Sequence, residues 1–113
     1  MTASFPGPAC VIAQYRPKPG QAAALLELVR AHVPALKRHG LITEMPTLCL
    51  ESRSDGTLLE IFEWRDEAGS QAAPATPEIE ALWSKMAAVA EFSTLKDLSE
   101  AAQPFPHFRR VNL

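Results

Sequence analysis

The sequence predicts an α+β domain with the element order strand, helix, strand, strand, helix, strand, and three observations carry that prediction. Two apolar runs, at 47–52 and 57–64, flank Arg53, Ser54, Asp55 and Gly56, and Asp-Gly between such runs is a strong short-range hairpin signal. Two longer stretches, from Gln21 and from Pro77, place apolar residues at helical instead of alternating spacing. The run at 57–64 is apolar on both faces, with Leu58, Glu60, Phe62 and Trp64 on one and Leu59, Ile61 and Glu63 on the other. Such a sheet needs two covers: the chain's own helices supply one, and a second copy of the sheet is the simplest source of the other.

The first strand is expected at 9–16, closed by Pro17, Lys18, Pro19 and Gly20. Leu25, Leu28, Val29, His32, Val33 and Leu36 then mark one face of a helix that His39-Gly40 stops. Pro34 lies inside that helix, where it removes one backbone hydrogen bond and is expected to kink it or end it early. His39, at the stop, is expected to interact with the terminal carbonyls. Thr76, Pro77 and Glu78 read as N-cap, first helical position and first-turn acid of the second helix, whose packed face is Ile79, Leu82, Trp83, Met86, Val89 and Ala90. The alternation at 92–98 predicts a returning fourth strand. This order is the split βαβ of the ferredoxin-like fold, with the first and third strands central and the second at an edge.

The 113 residues form one domain, with its core at about 9–98. The tail, 99–113, carries two aromatics, Phe105 between Pro104 and Pro106 and Phe108 just beyond them, and is expected to dock on the core or on a partner subunit. A net charge of -2, with no basic cluster beyond Arg109-Arg110, argues against nucleic acid and anionic membrane as partners. No apolar run reaches the roughly 18 residues of a membrane span, and Met1 to Pro6 lacks the basic start and apolar run of a signal peptide, so the chain is expected to be cytoplasmic. Cys10 and Cys49 form no metal-binding pattern; they read as buried thiols on non-adjacent strands, too far apart for a disulfide.

The stretch from Leu58 to Ala68, a third strand ending Glu63-Trp64-Arg65 with Phe62 before it, resembles the antibiotic biosynthesis monooxygenase pattern, in which a strand ending Glu-x-Trp enters a helix. The segment from Ala73 to Ile79 is similar to that family's approach to its next helix, and the likeness covers roughly residues 9–98. The resemblance implies a homodimeric α+β barrel with a small apolar pocket between each sheet and its helices. It also implies an activity among cofactor-independent oxidases of aromatic or quinol substrates, with no cofactor. Histidines that many members carry are replaced by Ala73 and Glu78. The positions that match the Asn and His of haem-degrading relatives read Tyr15 and Trp83, which offers no axial ligand and argues against haem degradation.

His32 is the candidate catalytic residue, because its spacing places a titratable ring on the apolar face of the first helix, where it could deprotonate a phenol. The commoner fate of such a histidine is a hydrogen-bonded core position. Gln14 and Tyr15 are candidates to hydrogen-bond a substrate oxygen, and Trp64, Trp83 and Met86 to shape an apolar pocket; core packing is the commoner role of each Trp. Glu60 and Glu63 face opposite ways and cannot work as a carboxylate pair. Arg16 and Arg65 read as solvated strand-end cations or as holders of an anionic substrate. Two functions fit: a cofactor-independent monooxygenase-like enzyme on a small aromatic or quinol substrate, or a non-catalytic dimeric module that binds a small apolar ligand or a protein partner.

Overall fold

A computed structural model describes residues 4–113; the start of the segment read for a leader, Met1 to Ala3, lies outside them. The elements are β1 (Ala9–Pro17), α1 (Ala22–Arg38), β2 (Leu48–Glu51), β3 (Leu58–Trp64), α2 (Glu67–Ala72), α3 (Pro77–Val89), β4 (Ala90–Phe92) and β5 (Arg109–Val111). The five strands form one antiparallel sheet in the order β4-β1-β3-β2-β5, and the expected ferredoxin-like order of its first four is borne out. β2 is not an edge, however, because Arg109–Val111 pairs with Cys49–Glu51 and takes that place.

Alternation decides what each strand presents to the helices. Val11, Ala13 and Tyr15 of β1 and Leu58, Glu60, Phe62 and Trp64 of β3 turn toward α1 and α3, where Leu25, Val29, Val33, Leu36, Ile79 and Met86 meet them in two adjoining apolar clusters. The opposite face carries Ile12 and Leu48, which remain 46% and 40% exposed in the single chain. It also carries Cys10, which is exposed and not the buried thiol expected, whereas Cys49 faces the helices and is buried; both are free.

α1 continues through Pro34 to Arg38. Pro34 sits on the exposed side, where solvent can satisfy the carbonyl one turn back, so the helix neither stops nor shortens there. It ends as predicted at Gly40, whose φ of +67° is the left-handed turn that lets the Leu41 N–H reach back to the Leu36 carbonyl. His39 does not serve the helix carbonyls through its ring: Nε2 lies 2.8 Å from Glu78 Oε1, and Arg38 pairs with the same carboxylate, tying the end of α1 to the start of α3. The hairpin also forms as expected, with the Ser52 N–H bonded to the Thr57 carbonyl and Gly56 at φ +78°.

Two local readings are corrected. Thr76 occupies the N-cap position of α3, but its hydroxyl donates backward to the Ala72 carbonyl at 2.8 Å instead of capping the helix. The fourth strand is Ala90–Phe92 and not 92–98, because the Thr94 hydroxyl donates to Asp97 and the Asp97 N–H to the Thr94 carbonyl, winding Leu95–Asp97 into a 3-10 turn. A second such turn, Ser99–Ala102, buries Glu100 against the hairpin. Between it and β5 the tail runs exposed over residues 103–107, with Phe105 81% accessible in the single chain, and Phe108 is half-buried.

Candidate functional site

Beneath the sheet's helical face, four side chains from four elements form one hydrogen-bonded chain. Glu60 of β3 is fully buried, and its Oε1 lies 2.8 Å from the Tyr15 hydroxyl of β1 and 2.8 Å from His32 Nδ1 of α1. On the far side of the imidazole, Trp83 Nε1 of α3 lies 2.9 Å from His32 Nε2. An indole N–H can only donate, so Nε2 must accept and the ring proton must sit on Nδ1, pointing at Glu60. Each donor direction is thereby fixed: Trp83 to His32, His32 to Glu60, and Tyr15 to Glu60.

This arrangement follows from local structure. His32 falls between Val29 and Leu36 on the packed stripe of α1, and Glu60 falls on the helix-facing register of β3 opposite Ala13, so both are carried inward by the periods that bury their apolar neighbours. Burial pushes the Tyr15 hydroxyl well above its ordinary range, and the neighbouring Glu60 charge pushes it further, so Tyr15 stays a donor. Burial, reinforced by Glu60 and Glu51, likewise pushes the Cys49 thiol up to about 12, which makes it a packing residue and not a nucleophile. Glu60 Oε2 has no hydrogen-bond partner among the described residues, an unusual state for a buried carboxyl oxygen.

A partly open cavity of about 310 Å³ lies beside this chain, at the lower end of the ~300–1,000 Å³ range of small-molecule sites. Aromatic walls from Phe62, Trp64, Trp83 and Phe92 dominate it, and His32, Gln14 and Ser93 are the polar residues along its lining besides Tyr15. It opens where β1 loses its neighbour: β4 pairs with β1 only at Tyr15–Pro17, while β3 pairs with it from Ala9 to Tyr15. Five of the six candidate residues, Gln14, Tyr15, His32, Trp64 and Trp83, line this one cavity. Met86 does not; it is fully buried in the apolar cluster with Leu25, Val29 and Cys49. Gln14 donates from Nε2 to the Ser93 hydroxyl at 3.2 Å, and its buried Oε1 has no partner among the described residues.

A second cavity, of about 340 Å³, lies by the start of α1 against Glu51, Arg109 and Val111, and it holds none of the candidate residues. Arg16 pairs with Glu91, and Arg65 bonds the Gly40 carbonyl and Asp66, so both are engaged at strand ends away from the cavity. Among the described residues no three His, Cys, Asp or Glu side chains cluster as metal ligands, and no helix is long and apolar enough to cross a membrane.

Sequence reasoning missed Glu60 as a member of the site. Its signal was available in the same alternation that placed Leu58, Phe62 and Trp64 inward, since an acid on a buried register must find donors.

No protein-family sequence model matches the chain, and no curated protein is similar to it in sequence. Solved structures do share its fold. Rv0793 from Mycobacterium tuberculosis matches with a TM-score of 0.63 at 19% identity, over 76% of this chain and 86% of that one. A candidate antibiotic biosynthesis monooxygenase from Caulobacter crescentus CB15 matches with a TM-score of 0.67 at 14% identity, over 80% and 85%. A conserved protein from Methanosarcina mazei Go1 matches with a TM-score of 0.58 at 14% identity, over 77% and 85%. The expected likeness to the antibiotic biosynthesis monooxygenase group is thus borne out in the fold.

Proposed function

We propose that the chain is a cytoplasmic, homodimeric, cofactor-independent monooxygenase-like protein acting on a small aromatic or quinol substrate in the cavity beside His32. The observation that carries this reading is the convergence of Gln14, Tyr15, His32, Trp64 and Trp83 on one aromatic-walled space. Fold likeness to a candidate antibiotic biosynthesis monooxygenase supports the reaction class by analogy. His32 is the base, removing the hydroxyl proton of the bound phenol to leave an electron-rich phenolate for O2. One oxygen atom enters the ring system and the other leaves as water, carrying hydrogens lost by the substrate, so no outside reductant is required. Homodimerisation is supported by the face that carries exposed Ile12 and Leu48, which a second sheet would cover.

Oxygen uptake with a panel of hydroquinones and anthrones tests the activity directly. Consumption above the protein-free rate that disappears in His32→Ala is expected; uptake unchanged by that substitution removes His32 from the mechanism. Gel filtration over a range of concentrations is expected to give twice the chain mass, and a stable monomer contradicts the assembly.

A second reading, a non-catalytic module that retains a small apolar ligand, is favoured by one specific feature: both ring nitrogens of His32 are already hydrogen-bonded within the protein. Thermal-shift screening that finds specific stabilisation by aromatic compounds, without oxygen consumption, would select it.

A further inference from the structure

We propose that Trp83 is a displaceable cap on His32, occupying in the empty protein the position that a substrate hydroxyl takes when it binds. The inference rests on the reading of His32 as the base and adds what controls access to it.

The geometry points to a cap because of what each partner can do. With Nδ1–H committed to Glu60 at 2.8 Å, the Nε2 lone pair is the ring's remaining proton acceptor, and Trp83 Nε1–H holds it at 2.9 Å. His32 is 1% exposed, yet it and Trp83 both line the cavity, so the indole stands between the lone pair and the space a ligand enters. Trp83 is only half-buried, at the margin of both apolar clusters, and the imidazole and indole rings are tilted at 59° with centroids 6.3 Å apart, so the indole's hold on the imidazole is that one hydrogen bond and not ring stacking. A phenolic O–H entering the cavity offers Nε2 an equivalent donor together with an aromatic ring for the Phe62 and Trp64 walls.

Once the exchange is made, the substrate O–H bond breaks, an Nε2–H bond forms, and the electron pair stays on the phenolate oxygen. The imidazolium keeps its Nδ1–H bond to Glu60, which balances its charge. The cap thus ties proton abstraction to occupancy: with nothing in the cavity, the base is closed.

Diethyl pyrocarbonate, which acylates a histidine nitrogen with a free lone pair, reads the cap without requiring turnover. Peptide mapping by mass spectrometry is expected to find His32 resistant in the wild-type protein while exposed His107 reacts and serves as the internal standard. In Trp83→Phe the reaction at His32 should rise about fivefold, the factor one ordinary hydrogen bond is worth. Trp64→Phe, which trims the same cavity without contact with the ring nitrogen, should leave His32 resistant. Equal resistance in Trp83→Phe and wild type overturns the proposal, and so does equal reactivity in both variants, which would mean only a loosened cavity.

The displacement itself is read by the two indole N–H signals in a 1H–15N spectrum, Trp64 serving as reference. Added 1,4-hydroquinone should move the Trp83 signal away from its hydrogen-bonded position. A ligand that shifts the cavity residues but leaves Trp83 bonded to His32 overturns the displacement. Hydroquinone that shifts nothing, beside a positive acylation result, overturns the substrate class while the cap stands.

Discussion

Two buried carboxylates, Glu60 under the helices and Glu100 behind the hairpin, have been treated differently by the fold. Glu100 uses both oxygens: it accepts from Ser52 at 3.0 and 2.9 Å, from the Arg53 N–H at 3.1 Å and from Ser99 at 3.2 Å, all within the chain segments it ties together. Glu60 uses one oxygen for two donors and leaves the other unpartnered, and the donors it holds, Tyr15 and His32, line a cavity. Burial of a charge is costly unless its hydrogen bonds are complete. The completed cluster at Glu100 is a fastening for the tail; the incomplete one at Glu60 is arranged around two buried side chains that also line a cavity, which is where chemistry or binding is expected.

The largest effect that would sharpen this contrast is Glu60→Ala, which strands a buried Tyr15 hydroxyl and His32 N–H; urea denaturation should register a loss of about 3 kcal/mol. A loss below that of the Glu100 substitution would reverse the ranking. Glu100→Ala should cost about 2 kcal/mol and release the Ser99–Ala102 turn, seen as faster amide exchange confined to the tail and hairpin. Burial works against ionisation of Glu100, but the hydrogen bonds from Ser52, Ser99 and Arg53 outweigh it and hold the carboxyl below its ordinary range. A depressed folded pKa means that this stabilisation is present above the unfolded value of about 4.3 and is lost as pH falls through the folded value, so wild type and Glu100→Ala should converge in stability in acid.

The smallest effects belong to Tyr15. Tyr15→Phe removes one of two donors to Glu60 and should cost about 1 kcal/mol. Since Tyr15 is the sole tyrosine, its ultraviolet titration reads it alone, and no phenolate should appear at the pH where a free tyrosine ionises. A folded pKa raised above the unfolded value of about 10 contributes stability that is full below pH 10 and is lost as pH rises toward the folded value; Tyr15→Phe should lack that alkaline loss.

Most of the fold was legible because it depends on local periods. The Asp55-Gly56 hairpin, the α1 stripe through Leu25, Val29 and Leu36 and its stop at Gly40 are set by neighbours in sequence. The returning strand lies earlier than expected because Phe92, Thr94, Lys96 and Leu98 alternate against Ser93, Leu95 and Asp97 as strand residues would, while one side-chain hydrogen bond from Thr94 to Asp97 winds the backbone instead; Leu98 is buried and Leu95 53% exposed. β5 could not be read, since Arg109, Arg110 and Val111 have no strand pattern and are extended by pairing with β2.

For the site, helical spacing brought His32 inward and strand alternation did the same for Tyr15 and Trp64, whereas Met86 followed the same rule into the core and away from the cavity. What periodicity cannot supply is long-range pairing. The 2.8 Å contact between His32 and Glu60 joins residues 28 positions apart, and the Trp83 bond joins residues 51 apart.

Nitrogen-15 spectroscopy of the His32 ring tests most directly whether these contacts hold the imidazole in the single form that the site requires. A proton on Nδ1 with a bare, hydrogen-bond-accepting Nε2 is the predicted result. A proton on Nε2 would contradict it, since Trp83 could then not donate to that nitrogen and the ordered chain from indole to carboxylate would not exist.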